Sequence, residues 1–86
     1  MTVLDVGCGI GENGRFARQR GAHVVGLERS ASARTYAREA LHEVLDVDIE
    51  DEGALRDLFS GRRFDLVVLG DVLEHLRDPR RVLASV

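Results

Sequence analysis

Several residue types are scarce or missing in this 86-residue chain, which has no lysine, no tryptophan, one cysteine and one proline. A single cysteine excludes an intrachain disulfide and favours a reducing compartment, so we interpret the chain as cytoplasmic. All twelve cations are arginine and fifteen acids outnumber them, so the net charge of −3 offers no basic surface for nucleic acid. No apolar run approaches the roughly 20 residues of a membrane span, and we expect no membrane partner.

The apolar pattern alternates between strand and helix along the chain. Short apolar runs predict four strands, at Thr2 to Val6, His23 to Glu28, Val44 to Asp48 and Phe64 to Leu69. Helical periods predict helices over 12–20, from Ser30 or Ser32 onward, over 54–59, and from Asp78 and Pro79 onward, with 71–76 as a loop or short helical turn. Gly21 and Gly61 stand where the first and third helices should end.

Each predicted helix should bury a small set of side chains. In the first helix we expect Phe16 and Ala17 to be buried. In the second, the apolar face consists of Ala33, Tyr36, Ala37, Ala40 and Leu41. In the third, the apolar patch consists of Leu55, Leu58 and Phe59.

This alternation predicts an α/β fold, a Rossmann-like doubly wound parallel sheet limited to about four strands with flanking helices. The first strand of such a sheet is central, and ligands bind at the carboxyl ends of strands near the switch in strand order. The glycine loop that follows the first strand should therefore lie beside Glu28, which ends the second.

The glycine loop reads DVGCGIGENG and fits two overlapping patterns. Gly9, Gly11 and Gly14 match G-x-G-x-x-G, a dinucleotide-binding fingerprint, whereas Asp5, Gly7, Gly9 and Gly11 match D-x-G-x-G-x-G. Glycines here let the backbone turn sharply and approach a ligand at a helix N-terminus. The simpler alternative is a tight turn between strand and helix.

Glu28 follows Gly9 by nineteen residues, close to the spacing at which a carboxylate accepts hydrogen bonds from ribose hydroxyls. An exposed acid at a strand end is the simpler interpretation of this residue. The loop and Glu28 together favour a nucleoside site, but they do not separate a nicotinamide cofactor from S-adenosylmethionine, because both contain adenosine.

Acidic residues distinguish these two ligands. A carboxylate at Asp5 would repel a pyrophosphate but favour a cationic amine or sulfonium, although this acid could instead cap loop N–H groups. Asp48 could accept from an adenine amine while the Ile49 backbone N–H donates to the ring, or it could belong to a solvated loop. Five acids crowd the end of the third strand and disfavour a polyphosphate: Asp46, Asp48, Glu50, Asp51 and Glu52.

Four segments carry a family resemblance: VLDVGCGIGENG, HVVGLE, LDVDIED and FDLVVLGDVLEHLRDP. In this order and spacing they resemble motifs of the class I S-adenosylmethionine-dependent methyltransferases, most closely the small-molecule type that includes the ubiquinone-biosynthesis enzymes. The run from Asp71 to Pro79 is the most specific, because dinucleotide-binding domains do not show it. The resemblance implies S-adenosylmethionine as the cofactor and a small-molecule methyl acceptor.

The resemblance also implies positions for the cofactor. The loop residues Asp5, Gly7 and Gly9 would lie along its methionine end. Cys8 and Gly11 of the same loop would also contact the cofactor. The acid Glu28 would bind the ribose hydroxyls, with Arg29 beside the adenine. The remaining contacts would be Asp48 and Ile49 at the adenine, and Gly70 and Asp71 near the methyl-bearing sulfur.

His75 is the candidate base for the methyl acceptor, because histidine can accept a proton at neutral pH. Alternatively, Glu74 and His75 hydrogen-bond a loop over the cofactor. Cys8 has no adjacent base and is no candidate nucleophile, and the three scattered histidines, including His23 and His42, identify no metal site. Two other functions remain open: an NAD(P)-binding oxidoreductase fragment, and a non-catalytic remnant or interaction module.

The resemblance covers residues 1–86 as a single partial domain, with four of the seven strands of the family sheet. The fourth strand would then be a hydrophobic edge, where pairing with another chain is expected. We therefore expect a truncated gene or a piece of a longer chain.

Overall fold

The computed structural model describes residues 1–69 and contains a four-stranded parallel sheet with three helices. The elements alternate along the chain as β1 (Thr2–Val6), α1 (Glu12–Gln19), β2 (His23–Leu27), α2 (Ala31–Ala40), β3 (Glu43–Leu45), α3 (Glu52–Phe59) and β4 (Leu66–Val68). This confirms the predicted Rossmann-like α/β class. The expected loop at 71–76 and the helix expected from Asp78 lie outside the described residues.

Strand order is β3-β2-β1-β4, so β1 lies inside the sheet and the order reverses between β1 and β4. In the parallel register of β1 and β2, Val6 lies opposite Leu27. The residues that follow these two strands therefore leave the same edge of the sheet side by side. This confirms the predicted proximity of the glycine loop to Glu28.

The sheet has a separate apolar cluster on each face, because side chains alternate along a strand. On one face, Leu4 and Val6 pack with Leu55 and Leu58 of α3. On the opposite face, Val3 and Val24 pack with residues of α2 that include Ala37 and Ala40. Both faces of β1 and β2 are thus buried, which explains their nearly continuous apolar sequences.

Side-chain caps begin two of the helices. The Ser30 hydroxyl accepts from the Ala33 N–H at 3.3 Å and begins α2, as predicted. The Asp51 carboxylate accepts from the Ala54 N–H at 3.1 Å, which begins α3 two residues earlier than expected. Capping satisfies N–H groups that have no partner within the helix.

The later strands are shorter than predicted. Strand β2 ends at Leu27, one residue before Glu28, and β3 spans only Glu43–Leu45. Asp46 and Asp48 therefore lie in the loop beyond β3. Because carboxylates there are held by arginine ion pairs and turn N–H groups, the chain leaves the strand earlier than its apolar pattern suggests.

The predicted burial of Phe16 and Tyr36 is wrong, since their exposed fractions are 58% and 63%. Helix α1 lies close to β2 and α2 through Gly14, whose position leaves no room for a side chain beside Leu41. Phe16 is turned away from this contact, and the Arg20 guanidinium stacks 3.5 Å from its ring centre. Small residues, not the largest apolar ones, therefore make the helix contacts on this face.

Strand β4 lies at an edge of the sheet that residues 1–69 form, where it pairs with β1 alone. Leu66 is 48% exposed there, so the predicted hydrophobic edge is present in the described part of the chain. Within the same residues, no helix is long and apolar enough to cross a membrane.

Substitution of Gly26 tests the close packing between β2 and the glycine loop. A Cβ at Gly26 would lie 2.7 Å from both Cys8 Sγ and Leu41 Cδ1, so we expect Gly26→Ala to destabilise the fold by about 1–3 kcal/mol. As a matched control, Gly53→Ala in α3 meets only Asp51 Oδ1 at 3.4 Å and should be neutral or stabilising. Urea unfolding of both variants is the measurement, and equal midpoints would contradict the packing argument.

Candidate functional site

The glycine loop has a left-handed backbone conformation at three of its glycines. Gly7, Gly9 and Gly11 have φ values of 71°, 58° and 93°, in the left-handed region that favours glycine. The N–H groups of Gly7 and Cys8 both donate to the Leu27 carbonyl, at 2.8 and 3.0 Å, which binds the loop to the end of β2. A Cβ at Gly9 would meet no atom within 4 Å, so a ligand can approach the backbone closely there.

Glu28 joins the loop to the start of α2. One carboxylate oxygen accepts from the Gly9 N–H at 2.8 Å, and the other accepts from the Ser30 N–H at 3.0 Å. The Glu28 backbone N–H donates to the Leu45 carbonyl at 3.0 Å, so this residue also contacts the end of β3. Three segments of the site therefore meet at one residue.

Arg29 points toward two acids at the end of β3. Its Nε lies 2.6 Å from Asp46 Oδ1, and a terminal nitrogen lies 3.2 Å from Asp48 Oδ2. All three side chains are about half exposed or more, so these ion pairs contribute little stability. Their effect is to neutralise the arginine beside the Glu28 carboxylate.

Asp48 and Ile49, predicted at the adenine, lie in the turn before α3. One Asp48 oxygen accepts from the Glu50 N–H at 2.9 Å, and the other pairs with Arg29. The Ile49 side chain is buried in the cluster under α3. Within residues 1–69, no hydrogen bond engages the Ile49 backbone N–H, so this predicted donor has no protein partner there.

Asp5 is a buried acid whose carboxylate accepts no hydrogen bond from the part of the chain that is described. Its exposed fraction is 6%, and no N–H or hydroxyl group of the described chain donates to its carboxylate. Burial raises the pKa of Asp5 above its ordinary value of 3.8. The residue lines a largely apolar groove of about 360 Å³ between α1 and β4, together with Asn13, Phe16 and Val68. An unsatisfied carboxylate in this position is suited to a cationic group.

Cys8 is placed differently from the other loop residues. Its side chain is buried beneath α2 in the cluster that includes Val24 and Leu41, and its thiol points toward the Gly9 carbonyl at 3.7 Å. Burial, with smaller effects from the charges of Asp5 and Glu28, raises the pKa of the thiol to about 11. The side chain is therefore a core residue, and only the Cys8 backbone faces the loop.

Gly70, Asp71 and His75 lie outside the described residues, so their predicted roles stay predictions. The other two histidines lie away from the site, at the opposite end of β2. His23 and His42 stack with ring centres 4.3 Å apart, and His42 Nδ1 accepts from the Val24 N–H at 3.0 Å. In the part of the chain that is described, no group of three His, Cys, Asp or Glu side chains has the arrangement of a metal site.

Sequence reasoning missed Arg34, which contacts the backbone of the site. A terminal guanidinium nitrogen donates to the carbonyls of Glu28 and Arg29 at 3.0 and 2.8 Å. One signal was available in the sequence: helix α2 has no acid in its first turn but carries this cation there, against the preference set by the helix dipole.

The fold and this geometry define a Rossmann-like nucleoside-binding unit, with a glycine loop after β1 and an acid after β2. A protein-family model described as a methyltransferase domain matches residues 4–86. The chain belongs to this family, which confirms the predicted relation to the class I S-adenosylmethionine-dependent methyltransferases.

Curated relatives and a solved structure agree with this assignment. The chain is 36% identical over 86 residues to a ubiquinone biosynthesis O-methyltransferase of Hahella chejuensis, covering 96% of this chain and 36% of that protein. It is 34% identical over 89 residues to phosphoethanolamine N-methyltransferase 2 of Caenorhabditis elegans, covering 100% of this chain and 20% of that protein. A TehB-like SAM-dependent methyltransferase from Corynebacterium glutamicum matches with a TM-score of 0.74 at 28% identity, covering 98% of this chain and 46% of that one. The chain thus spans less than half the length of each of these proteins.

The buried acid predicts a pH-dependent effect of Asp5→Asn. Because the pKa of Asp5 is raised in the folded protein, the fold loses stability relative to the unfolded chain as the pH rises above 3.8. The amide variant carries no such charge and should unfold at a higher urea concentration than the wild type at pH 7. This difference should vanish as the pH falls below 3.8, where both states hold the proton. A variant less stable than the wild type at pH 7 would contradict this argument.

Proposed function

We propose that this chain binds S-adenosylmethionine and forms the cofactor-binding part of an enzyme that transfers a methyl group to a small-molecule acceptor. The contact between Glu28 and the Gly9 N–H carries the proposal, because it joins the two features that bind an adenosine ligand in this fold. Each Glu28 oxygen accepts one protein hydrogen bond and keeps a second lone pair for a ribose hydroxyl.

The charges around the loop favour a sulfonium cofactor over a phosphorylated one. Asp5 is a buried carboxylate that a cationic amino or sulfonium group would compensate, whereas a pyrophosphate would be repelled. An arginine after the strand-end acid can accommodate the 2′-phosphate of NADP, but Arg29 is held by Asp46 and Asp48. The open space at Gly9 accommodates a ligand that lies against the backbone.

Bound S-adenosylmethionine would supply an activated methyl group, whose bond to sulfur breaks as the bond to the acceptor atom forms. The protein then contributes position and electrostatics. Glu28 would hold the ribose, the Ile49 N–H would donate to the adenine beside Asp48, and Asp5 would face the methionine end. We propose that His75 takes the proton from the methyl acceptor and that Gly70 and Asp71 contact the cofactor near its sulfur. We also propose that the protein is cytoplasmic.

Substitution of Glu28 tests the ribose contact. We expect Glu28→Ala to weaken S-adenosylmethionine binding by about 1–3 kcal/mol, because the ribose hydroxyls and the Gly9 N–H lose their acceptor. Glu39→Ala removes an exposed carboxylate from α2 and should leave the affinity unchanged. Isothermal titration of the wild type and both variants is the measurement.

The same titration separates the competing functions. Tight binding of NAD without binding of S-adenosylmethionine would support an oxidoreductase fragment and overturn the proposal. A folded, monomeric wild type that binds neither ligand would support a non-catalytic module. An unchanged dissociation constant for Glu28→Ala would remove this residue from the site.

We also propose that β4, which pairs with β1 alone within residues 1–69 and exposes Leu66, pairs with a second copy of the chain along its other edge. Leu66→Arg should then reduce self-association, as measured by sedimentation velocity across a concentration series. The control is Ile10→Arg, because Ile10 is exposed in the glycine loop. A buried residue such as Leu55 is unsuited as a control. A wild type that stays monomeric throughout the series would contradict this pairing.

A further inference from the structure

Arg34 is the least exposed of the arginines that form ion pairs in the described chain. Its side chain is 15% exposed, compared with 61% for Arg29. A terminal nitrogen donates to two successive carbonyls, those of Glu28 and Arg29, and lies 3.6 Å from Asp46 Oδ2. All of these partners belong to the turn between β2 and α2 or to the loop after β3.

The position of this cation is unfavourable for the helix itself. Arg34 lies in the first turn of α2, where the helix dipole disfavours positive charge. Its guanidinium is instead stabilised by the two carbonyls and by Asp46. Charge-assisted hydrogen bonds of this kind are about twice as strong as neutral ones, so they determine where the turn carbonyls lie.

These contacts make Arg34 the backbone anchor of Glu28. The Glu28 carbonyl is held by Arg34 and its N–H by the Leu45 carbonyl, so the peptide groups on both sides of the residue are fixed. The carboxylate then reaches the N–H groups of Gly9 and Ser30. A change in the turn would displace the carboxylate from the loop, although the glycines themselves would be unaltered.

We propose that Arg34 is a positioning residue for the cofactor's ribose, acting through Glu28 from outside the ligand contact. The inference rests on the proposed nucleoside function of the site. It assigns part of the affinity for ribose hydroxyls to a side chain on helix α2 that does not touch the ligand. The effect of Arg34 should therefore depend on whether the ligand has those hydroxyls.

The experiment compares two ligands on the full chain: S-adenosylhomocysteine and its analogue that lacks both ribose hydroxyls. We expect Arg34→Ala to weaken S-adenosylhomocysteine binding about tenfold, which is typical of coupling through a shared contact. The same variant should change binding of the analogue less than about twofold. Arg38→Ala removes a cation one turn along the same helix and should leave both affinities unchanged. Affinities are measured by isothermal titration.

Two further variants make the result specific. The double variant Glu28→Ala, Arg34→Ala should bind no more weakly than Glu28→Ala alone, because Arg34 acts only through that carboxylate. Arg34→Lys keeps a charged donor and should lose less affinity than Arg34→Ala, and it provides the test if the alanine variant does not fold.

Three outcomes would overturn the inference. They are unchanged affinity in both Arg34 variants, an equal loss for both ligands, and additive losses in the double variant. A wild-type chain that binds neither ligand would overturn the proposed function itself, whereas wild-type binding with an inert Arg34 would overturn only this inference.

Discussion

The bridge that the Glu28 carboxylate makes between Gly9 and Ser30 is the contact on which the arrangement of the site depends. It joins two loops that are far apart in sequence and adjacent in space, because β1 and β2 are parallel and their final residues are paired. A carboxylate is suited to this place, since it can satisfy donors from both loops and still accept from a ligand. The position of the Glu28 carboxylate thus depends on the sheet register, the glycine conformations and the start of α2.

The parts of the fold that depend on local chemistry could be predicted from the sequence. Apolar runs next to glycine or acidic residues marked β1 and β2, and the Ser30 hydroxyl marked the start of α2. Burial was predicted correctly for Ala37, Ala40, Leu41, Leu55 and Leu58. It was predicted wrongly for Phe16, because α1 packs through small residues and leaves this ring outside. The role of Arg34 depends on how the turn folds back over its side chain, which no spacing rule describes.

The proximity of the glycine loop to Glu28 was predictable from the sequence. The acid at the end of β2 and the loop glycines meet as expected, because strand topology alone brings them together. Relatives named for oxygen and for nitrogen methylation both align with this same segment.

Cys8 places a sulfur atom inside a loop for which we propose an alkylating ligand. Only the thiolate form of cysteine is an effective nucleophile, and with a pKa of about 11 the buried thiol remains protonated at neutral pH. Packing against Gly26 and Leu41 also turns the sulfur toward the core. The same burial that completes the apolar cluster thus disfavours attack by the Cys8 sulfur on such a ligand.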